Sequence, residues 1–575
     1  QRFLRCSPRR IFHDFATPQH ILTLSSLTPP LKRRRYRRAL VSFKNVAKEI
    51  FFCFGRRREE MLTKSLCPVC LRVVPAEVYE ENGEIRIRKR CEEHGEFEDV
   101  YWSDAALYKK FSAFACEGKG AGITQTKVER GCPYDCGLCP MHKSSTVLAI
   151  IDLTNRCNQR CPTCFANAAV SRRIYEPSLE QIEAMLRLLR SETPPCPAVQ
   201  FAGGEPTLRN DFFEIVKMAR DLGFAQIQVA TNGIMLAKSV DFCRRMVDAG
   251  MHTVYLQFDG VTEEPYEVLR GRKALKTKLK AIENCRAGGV KSVVLVPTLA
   301  RGVNDDQLGG ILRFAAQNLD VVRGVNVQPI SFEGRIDGVQ RSKMRITIPD
   351  FIKLVEEQTD GQISRDSFYP VPFVVPISKF VEAWKGTPQV EFTAHPHCGA
   401  ATYVFVQDGK FIPITDFVDV EGFIEFIREE AEEVKNSRIG KMVAVGKIWL
   451  AMRRFVDEEK APPDVLPSLL DILKNGSRSA LAKFHHKTLF VGAMHFMDAY
   501  NFDLKRVQRC VIHYVTPDLR IIPFCTFNAL HRESVERKFS VPFASSSASS
   551  SVEAMEEEQA LLSGSGEERT EGEMK

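Results

Sequence analysis

No uninterrupted run of 18 apolar residues occurs in the 575-residue chain, so no conventional membrane-spanning helix is expected. The first 60 residues lack the ordered charged, apolar and small-residue regions of a cleavable signal. No period of solenoid or propeller length repeats. A strong charge of one sign is also missing. Lysine and arginine number 80 against 72 acidic residues, a net charge of +8. That mild excess concentrates in Leu31–Arg38 (LKRRRYRR) and Arg56–Arg58, which read as a solvated arm, so no nucleic-acid partner is expected. The chain begins at Gln1, and Met61 directly precedes the first cysteine pair. Residues 1–60 are therefore expected to be a disordered extension outside the functional protein.

What is abundant is cysteine, with 18 residues, most of them clustered. Small secreted domains cluster cysteines for disulfides, but this chain is large and its clusters have metal-ligand spacings. That points to a reducing, cytoplasmic setting. A hydrophobic content of 44% is that of an ordinary folded protein with a real core.

Four regions follow the arm. Residues 61–115 carry Cys67-Pro-Val-Cys70 and Cys91-Glu-Glu-His94 with alternating strand-like text between them, such as Glu84–Arg88. CxxC with CxxH suits a tetrahedral mononuclear site of zinc-ribbon or rubredoxin type, holding zinc or iron. Residues 116–145 are rich in Cys, Gly and Pro and include Cys132, Cys136 and Cys139 in a CxxxCxxC pattern. An auxiliary [4Fe–4S] cluster is the preferred reading there, with zinc as the alternative and Cys116 a candidate fourth ligand. Residues 146–360 alternate apolar runs (147–153, 198–204, 226–232, 253–260, 292–298 and 324–330) with helix-period segments. That alternation predicts βαβ units and a parallel sheet. Six repeats predict a partial (β/α)6 barrel with its site at the carboxyl ends of the strands. Residues 361–540 contain Cys398, Cys510 and Cys525. Singly, each reads as a buried small hydrophobe; together, beside Gly, Pro and His, they suggest ligands of a third cluster. Cys6, Cys53, Cys196, Cys243 and Cys285 are assigned to arm or core. The Ser- and Glu-rich tail, 541–575, lacks core-forming periodicity and is expected to be disordered.

The first barrel strand is expected to run into Cys157, Cys161 and Cys164, a second CxxxCxxC followed by Phe165. Three thiolates at this spacing suit three irons of a [4Fe–4S] cluster, leaving the fourth open. Spacing alone leaves a zinc site or a closed cluster equally open. The second strand ends in Gly203-Gly204-Glu205-Pro206. Together these segments resemble the radical S-adenosylmethionine (radical SAM) superfamily. The resemblance implies a cluster on Cys157, Cys161 and Cys164 as the catalytic centre, with SAM chelating its open iron. It implies that Phe165, Gly203, Gly204, Glu205 and Pro206 contact SAM, with Asn232, Gln257 and Asp259 supplying further polar groups. It also implies reductive cleavage of SAM to a 5′-deoxyadenosyl radical, with electrons from a donor such as ferredoxin or flavodoxin.

The order CPVC, GCPYDCGLC, DLTNRCNQRCPTCFANA, FAGGEPTLR and CVIHY…IIPFC over 61–535 resembles one group more narrowly. It holds the tetraether lipid synthases and the hydroxymethyl-dihydropterin methyltransferases. From this resemblance C–C coupling of lipid chain ends is the first expectation, with peripheral membrane contact through Lys447–Arg454 and an apolar groove near 443–450. Methyl transfer to a dihydropterin is the alternative. A multi-cluster electron-transfer protein is the reading from another class, and the SAM-like motif argues against it.

Overall fold

A computed structural model describes residues 62–169, 173–336, 338–436, 446–448, 450–462 and 488–542, together with Ala444 and Val465. The basic arm, the tail beyond residue 542 and most of residues 463–487 lie outside the described residues.

The N-terminal module is a four-stranded sheet in chain order: β1 (Leu62–Leu66), β2 (Val73–Glu81), β3 (Glu84–Cys91) and β4 (Gly95–Trp102). Strand alternation decides which residues it buries. Along β3, Ile85, Ile87 and Lys89 point inward, while Arg86 and Arg88 face outward toward Glu98 and Glu77. Asn82 and Gly83, both at positive φ (52° and 81°), form the two-residue turn between β2 and β3. Asn-Gly suits that turn because both residues tolerate the left-handed region.

The barrel sheet carries the six expected strands: β5 (Leu148–Thr154), β6 (Ala198–Gly203), β7 (Gln226–Thr231), β8 (Thr253–Gln257), β9 (Val293–Val296) and β10 (Val322–Pro329). They lie side by side in that order and pair in parallel. β5, β7 and β10 bury most of their residues, as expected of strands covered on both faces. The intervening helices turn an apolar stripe inward. Leu179–Ser191 buries Ile182, Met185, Leu186 and Leu189, and starts with a capping box between Ser178 and Gln181.

The sheet extends beyond six strands. The C-terminal region adds β11 (Gly399–Gln407), β12 (Thr488–Met494), β13 (Ile512–Val515) and β14 (Ile521–Pro523). β12 joins β10 in parallel and β13 joins β5 in parallel, on opposite sides of the six. β11 covers β12 and β14 covers β13, both antiparallel. The two sides meet through side chains: Phe496, just past β12, stacks on Phe524, just past β14, with ring centroids 3.8 Å apart. The sequence pattern missed the joining of β12 and β13 to the barrel because their parallel partners, β10 and β5, lie more than 150 residues away.

A buried ionic junction joins the module to the barrel. Arg345 donates to Asp99 Oδ2 (2.7 Å) from the module and to both oxygens of Asp498 (2.7 and 3.1 Å) from the loop after β12. Asp498 also accepts from the backbone of Phe332, after β10, at 2.9 Å. Lys89 Nζ donates to Ser65 Oγ (2.9 Å) and to Ala499 O (2.5 Å), and burial pulls its pKa down to about 7. Removing one member of a buried charge network leaves the others uncompensated. Arg345→Ala is expected to destabilise the protein by about 3–5 kcal/mol, measured as a lowered denaturation midpoint. A shift no larger than that of a surface Arg→Ala control would show that the junction contributes little.

Candidate active site and metal centres

The loop after β5 and the turn after β6 are built against each other. Gly204 N donates to Thr154 O (2.6 Å) and Glu205 N to Arg156 O (2.8 Å). A Cβ on Gly203 would stand 2.3 Å from Thr154 O, and one on Gly204 would stand 2.1 Å from Arg156 O. Gly203 also sits at φ +125°, outside the range L side chains favour. The two glycines therefore serve first to seat this turn on the cysteine loop.

That contact gathers the predicted residues around one cavity of about 260 Å³ at the carboxyl ends of the strands. Cys157, Cys161, Cys164, Phe165, Gly203, Gly204, Glu205, Asn232 and Gln257 all line it. Pro206 and Asp259 do not. Pro206 is buried as the first residue of the short turn Pro206–Leu208. Asp259 is buried and paired with Arg270, which does line the cavity.

The carboxylate of Glu205 is buried and already held. Oε1 accepts from Thr207 N (3.2 Å), Thr207 Oγ1 (2.5 Å) and Thr231 Oγ1 (2.7 Å), and Oε2 accepts from Asn232 N (2.8 Å). Burial still raises its pKa above the ordinary carboxylate value. Asn232 is similarly committed: its Nδ2 donates to Asn158 and its Oδ1 accepts from Ile234 N. Gln257 Oε1 accepts from Lys278 Nζ at 3.1 Å.

Three cations were not foreseen. Lys278, fully buried, donates to Asn232 O at 2.6 Å, and burial lowers its pKa to about 8. Arg270 forks onto Asp259 at 2.8 and 2.6 Å and donates to Thr298 Oγ1; burial raises the Cys161 thiol above its ordinary value, and the nearby charge of Arg270 acts against that rise. Arg335, after β10, donates to Cys161 O (3.1 Å) and to Ala168 O, and its backbone N–H to Cys164 O (3.2 Å). It thereby clamps the cysteine loop from the far side of the barrel. None belongs to a short motif: Arg270 ends the helix Glu264–Arg270, Lys278 lies within the helix Leu275–Ala287, and Arg335 follows β10.

The donor set fits a [4Fe–4S] cluster with one open iron. Three thiols edge one cavity, and no further cysteine is among its lining residues. Burial, then the charge of Glu205, pushes the Cys157 thiol up, so a cation at this site is needed to hold it as thiolate. The N-terminal set fits a single ion. The donor atoms of Cys67, Cys70, Cys91 and His94 all lie within 4.8 Å of one another. Cys91 Sγ stands 3.5 Å and Cys67 Sγ 3.7 Å from His94 Nδ1.

Six further cysteines fall into two sets of three. Cys132, Cys136 and Cys139 border a small cavity with His142, Val507 and Pro523. Cys116 is absent from its lining and points toward Lys379, 4.0 Å away, which corrects its candidacy as fourth ligand. Cys398, Cys510 and Cys525 gather round the buried guanidinium of Arg506, whose Nε donates to Cys398 Sγ at 3.3 Å. Burial raises the Cys510 thiol to about 12. Cys196, Cys243 and Cys285 are buried in the main core, and Cys6 and Cys53 lie outside the described residues.

The cavity lining also carries unmet polar groups. Asn326 Oδ1, Ser331 Oγ, Glu333 Oε1 and Arg532 Nη2 are buried without hydrogen-bond partners, and all four residues line it. None of the described residues of 443–450, where an apolar groove was expected, lines it. Ala444 and Ile448 instead pack with Phe380, Ile427 and Val434 in a separate core. No helix among the described residues is long and apolar enough to cross a membrane.

Comparisons with known proteins agree with this geometry. A family model for the radical SAM superfamily matches residues 151–315, and one for the HMPTM N-terminal zinc ribbon domain matches residues 61–103. The 7,8-dihydro-6-hydroxymethylpterin dimethyltransferase of Methanocaldococcus jannaschii is 56% identical over 489 residues, covering 84% of this chain and 96% of that protein. A probable GTP 3′,8-cyclase of Methanothermobacter marburgensis is 30% identical over 176 residues, 31% of this chain and 56% of its own length. Among solved structures, SuiB of Streptococcus suis covers 38% of this chain and 46% of its own, at 19% identity and a TM-score of 0.31. The near full-length relative overturns the expectation of lipid C–C coupling, since its name is that of a pterin dimethyltransferase.

Gly204→Ala tests the seating of the turn. With a Cβ 2.1 Å from Arg156 O, the variant is expected to lose SAM binding by calorimetry while retaining its full complement of N-terminal metal. Wild-type SAM affinity in the variant would show that the loop contact is dispensable.

Proposed function

As the chain belongs to the radical SAM superfamily, in the family of the Methanocaldococcus jannaschii pterin dimethyltransferase, we propose that it transfers methyl groups to a reduced 6-hydroxymethylpterin. The observation that carries this is 56% identity across 96% of that relative, with both the barrel and the N-terminal module included.

The cavity supports a polar, flat substrate. Four buried polar atoms in its lining lack partners, and an unsatisfied buried group costs about 1–3 kcal/mol. An alkyl chain would leave them unsatisfied, whereas a pterin ring offers both donors and acceptors in its plane. Tyr514, Phe496 and Phe524 line the same cavity and supply apolar faces against which a ring can lie.

In this reading Cys157, Cys161 and Cys164 hold the [4Fe–4S] cluster, and Gly203 to Glu205 and Asn232 form the SAM-facing wall. When bound, cluster and SAM together supply one-electron reductive cleavage of the sulfonium, fed by a low-potential donor such as ferredoxin or flavodoxin. The chain's own residues position and enclose. Glu205 is fixed by its four donors so that it cannot rotate away from the cavity. Asp259 and Arg270 neutralise each other beneath the cysteine loop. Glu333 meets the substrate on the opposite wall, and the aromatic pair Phe496–Phe524 excludes water between the two sides of the sheet. The N-terminal site holds zinc and fixes the module in the manner of a zinc ribbon.

The test is anaerobic incubation of reconstituted protein with SAM, reductant and 7,8-dihydro-6-hydroxymethylpterin. The expected result is 5′-deoxyadenosine and methionine from the cleaved SAM, together with a pterin gaining methyl groups by mass spectrometry, each methyl replacing a hydrogen and coming from a second SAM left as S-adenosylhomocysteine, with the electrons drawn from the added reductant. 5′-Deoxyadenosine without any change in pterin mass would leave the SAM chemistry standing and overturn the substrate. Glu333→Ala is expected to weaken pterin binding about 2- to 10-fold, since burial raises the Glu333 carboxyl well above its ordinary value and a hydrogen bond to a neutral group contributes about 0.5–1.5 kcal/mol.

A further inference from the structure

Among the described residues neither outlying set of three cysteines has a fourth thiol, and a [4Fe–4S] cluster held by protein alone needs four ligands. Beside Cys132, Cys136 and Cys139, His142 lines the same small cavity. It continues the spacing of the motif as Cys136-x-x-Cys139-x-x-His142, and its backbone N–H donates to Cys139 O at 3.0 Å. The side chain is buried.

Hydrogen bonding decides which ring nitrogen is free. His142 Nε2 lies 2.9 Å from Cys510 O. A carbonyl oxygen only accepts, so Nε2 carries the hydrogen. His513 Nε2, 3.0 Å from the same atom, then faces that N–H with its lone pair. In the neutral ring this leaves the lone pair on Nδ1. A metal-bound histidine characteristically donates its other ring N–H to a backbone carbonyl or carboxylate, which fixes tautomer and orientation. Here that partner is in place, and it belongs to Cys510, a member of the neighbouring set.

We propose that His142, through Nδ1, is the fourth ligand of a [4Fe–4S] cluster held by Cys132, Cys136 and Cys139, and that its Nε2–H bond to Cys510 O links that cluster to the Cys398, Cys510 and Cys525 site. This rests on reading both sets as cluster ligands and is independent of the substrate. A neutral imidazole in place of a thiolate removes one negative charge from the cluster, which raises its potential. The ring then stands in the short path by which an electron passes between the two sites.

The experiment uses full-length reconstituted protein labelled with 15N-histidine, reduced without SAM and examined by pulsed EPR. The expected result is a strongly coupled 15N on one reduced cluster. His142→Cys is expected to keep its iron and sulfide, lose that coupling and shift one cluster to a more negative midpoint. His142→Ala is expected to regain a nitrogen coupling when imidazole is added. Absence of any strong 15N coupling in the labelled protein would overturn the assignment, as would a coupling that persists unchanged in His142→Cys. Iron analysis separates the premise from the ligand. Simultaneous Cys132, Cys136 and Cys139→Ala substitution should remove one cluster's iron, and wild-type iron content in that variant would remove the cluster itself.

Discussion

Two backbone hydrogen bonds hold the centre of this protein together, from Gly204 N to Thr154 O and from Glu205 N to Arg156 O. They join the ends of the first two barrel strands at a distance that only glycine side chains permit. The loop bearing Cys157, Cys161 and Cys164 is thereby placed against the loop bearing Glu205. Arg335 closes the same loop from the sixth strand. A metal ligand set made of a flexible loop loses entropy on ordering, and here the fold has ordered it beforehand.

Around that contact the chain buries charge in neutral groups. Glu205 is met by hydroxyl and backbone donors, Asp259 by Arg270, Asp152 by Arg532, and Asp99 with Asp498 by Arg345. Each carboxylate has its compensation within hydrogen-bond distance, as groups removed from water require. Buried polar atoms without partners occur at several places in the molecule, and those of Asn326, Ser331 and Glu333 belong to residues that line the cavity, where a substrate could meet them.

The C-terminal region completes the barrel rather than following it. By adding strands on both sides of the six, it brings Cys398, from the start of β11, to Cys510 and Cys525, which flank β13 and β14. The same arrangement presses Phe496 onto Phe524 and sets His142 against His513. The outlying cysteine sets consequently adjoin one another and the main cavity, although they are far apart in the chain.

Local pattern was enough for much of this. Alternation of apolar runs with helix-period segments marked all six central strands, and close cysteine spacing marked Cys67 with Cys70, Cys132 to Cys139 and Cys157 to Cys164. These features are legible because the residues that act together are neighbours in sequence. Gly-Gly-Glu-Pro was legible as a motif, but its glycines proved to answer to the Thr154–Arg156 backbone. The cations Arg270, Lys278 and Arg335, the extra strands β12 and β13, the unmet polar groups at Asn326 to Glu333 and the placement of His142 against Cys510 were decided only by tertiary structure. Each depends on which distant segment packs opposite, a matter of long-range burial and hydrogen-bond satisfaction that no local spacing records. The lipid reading failed for a related reason: the motifs are shared across a group, while the substrate is chosen by the wall of a cavity they do not encode.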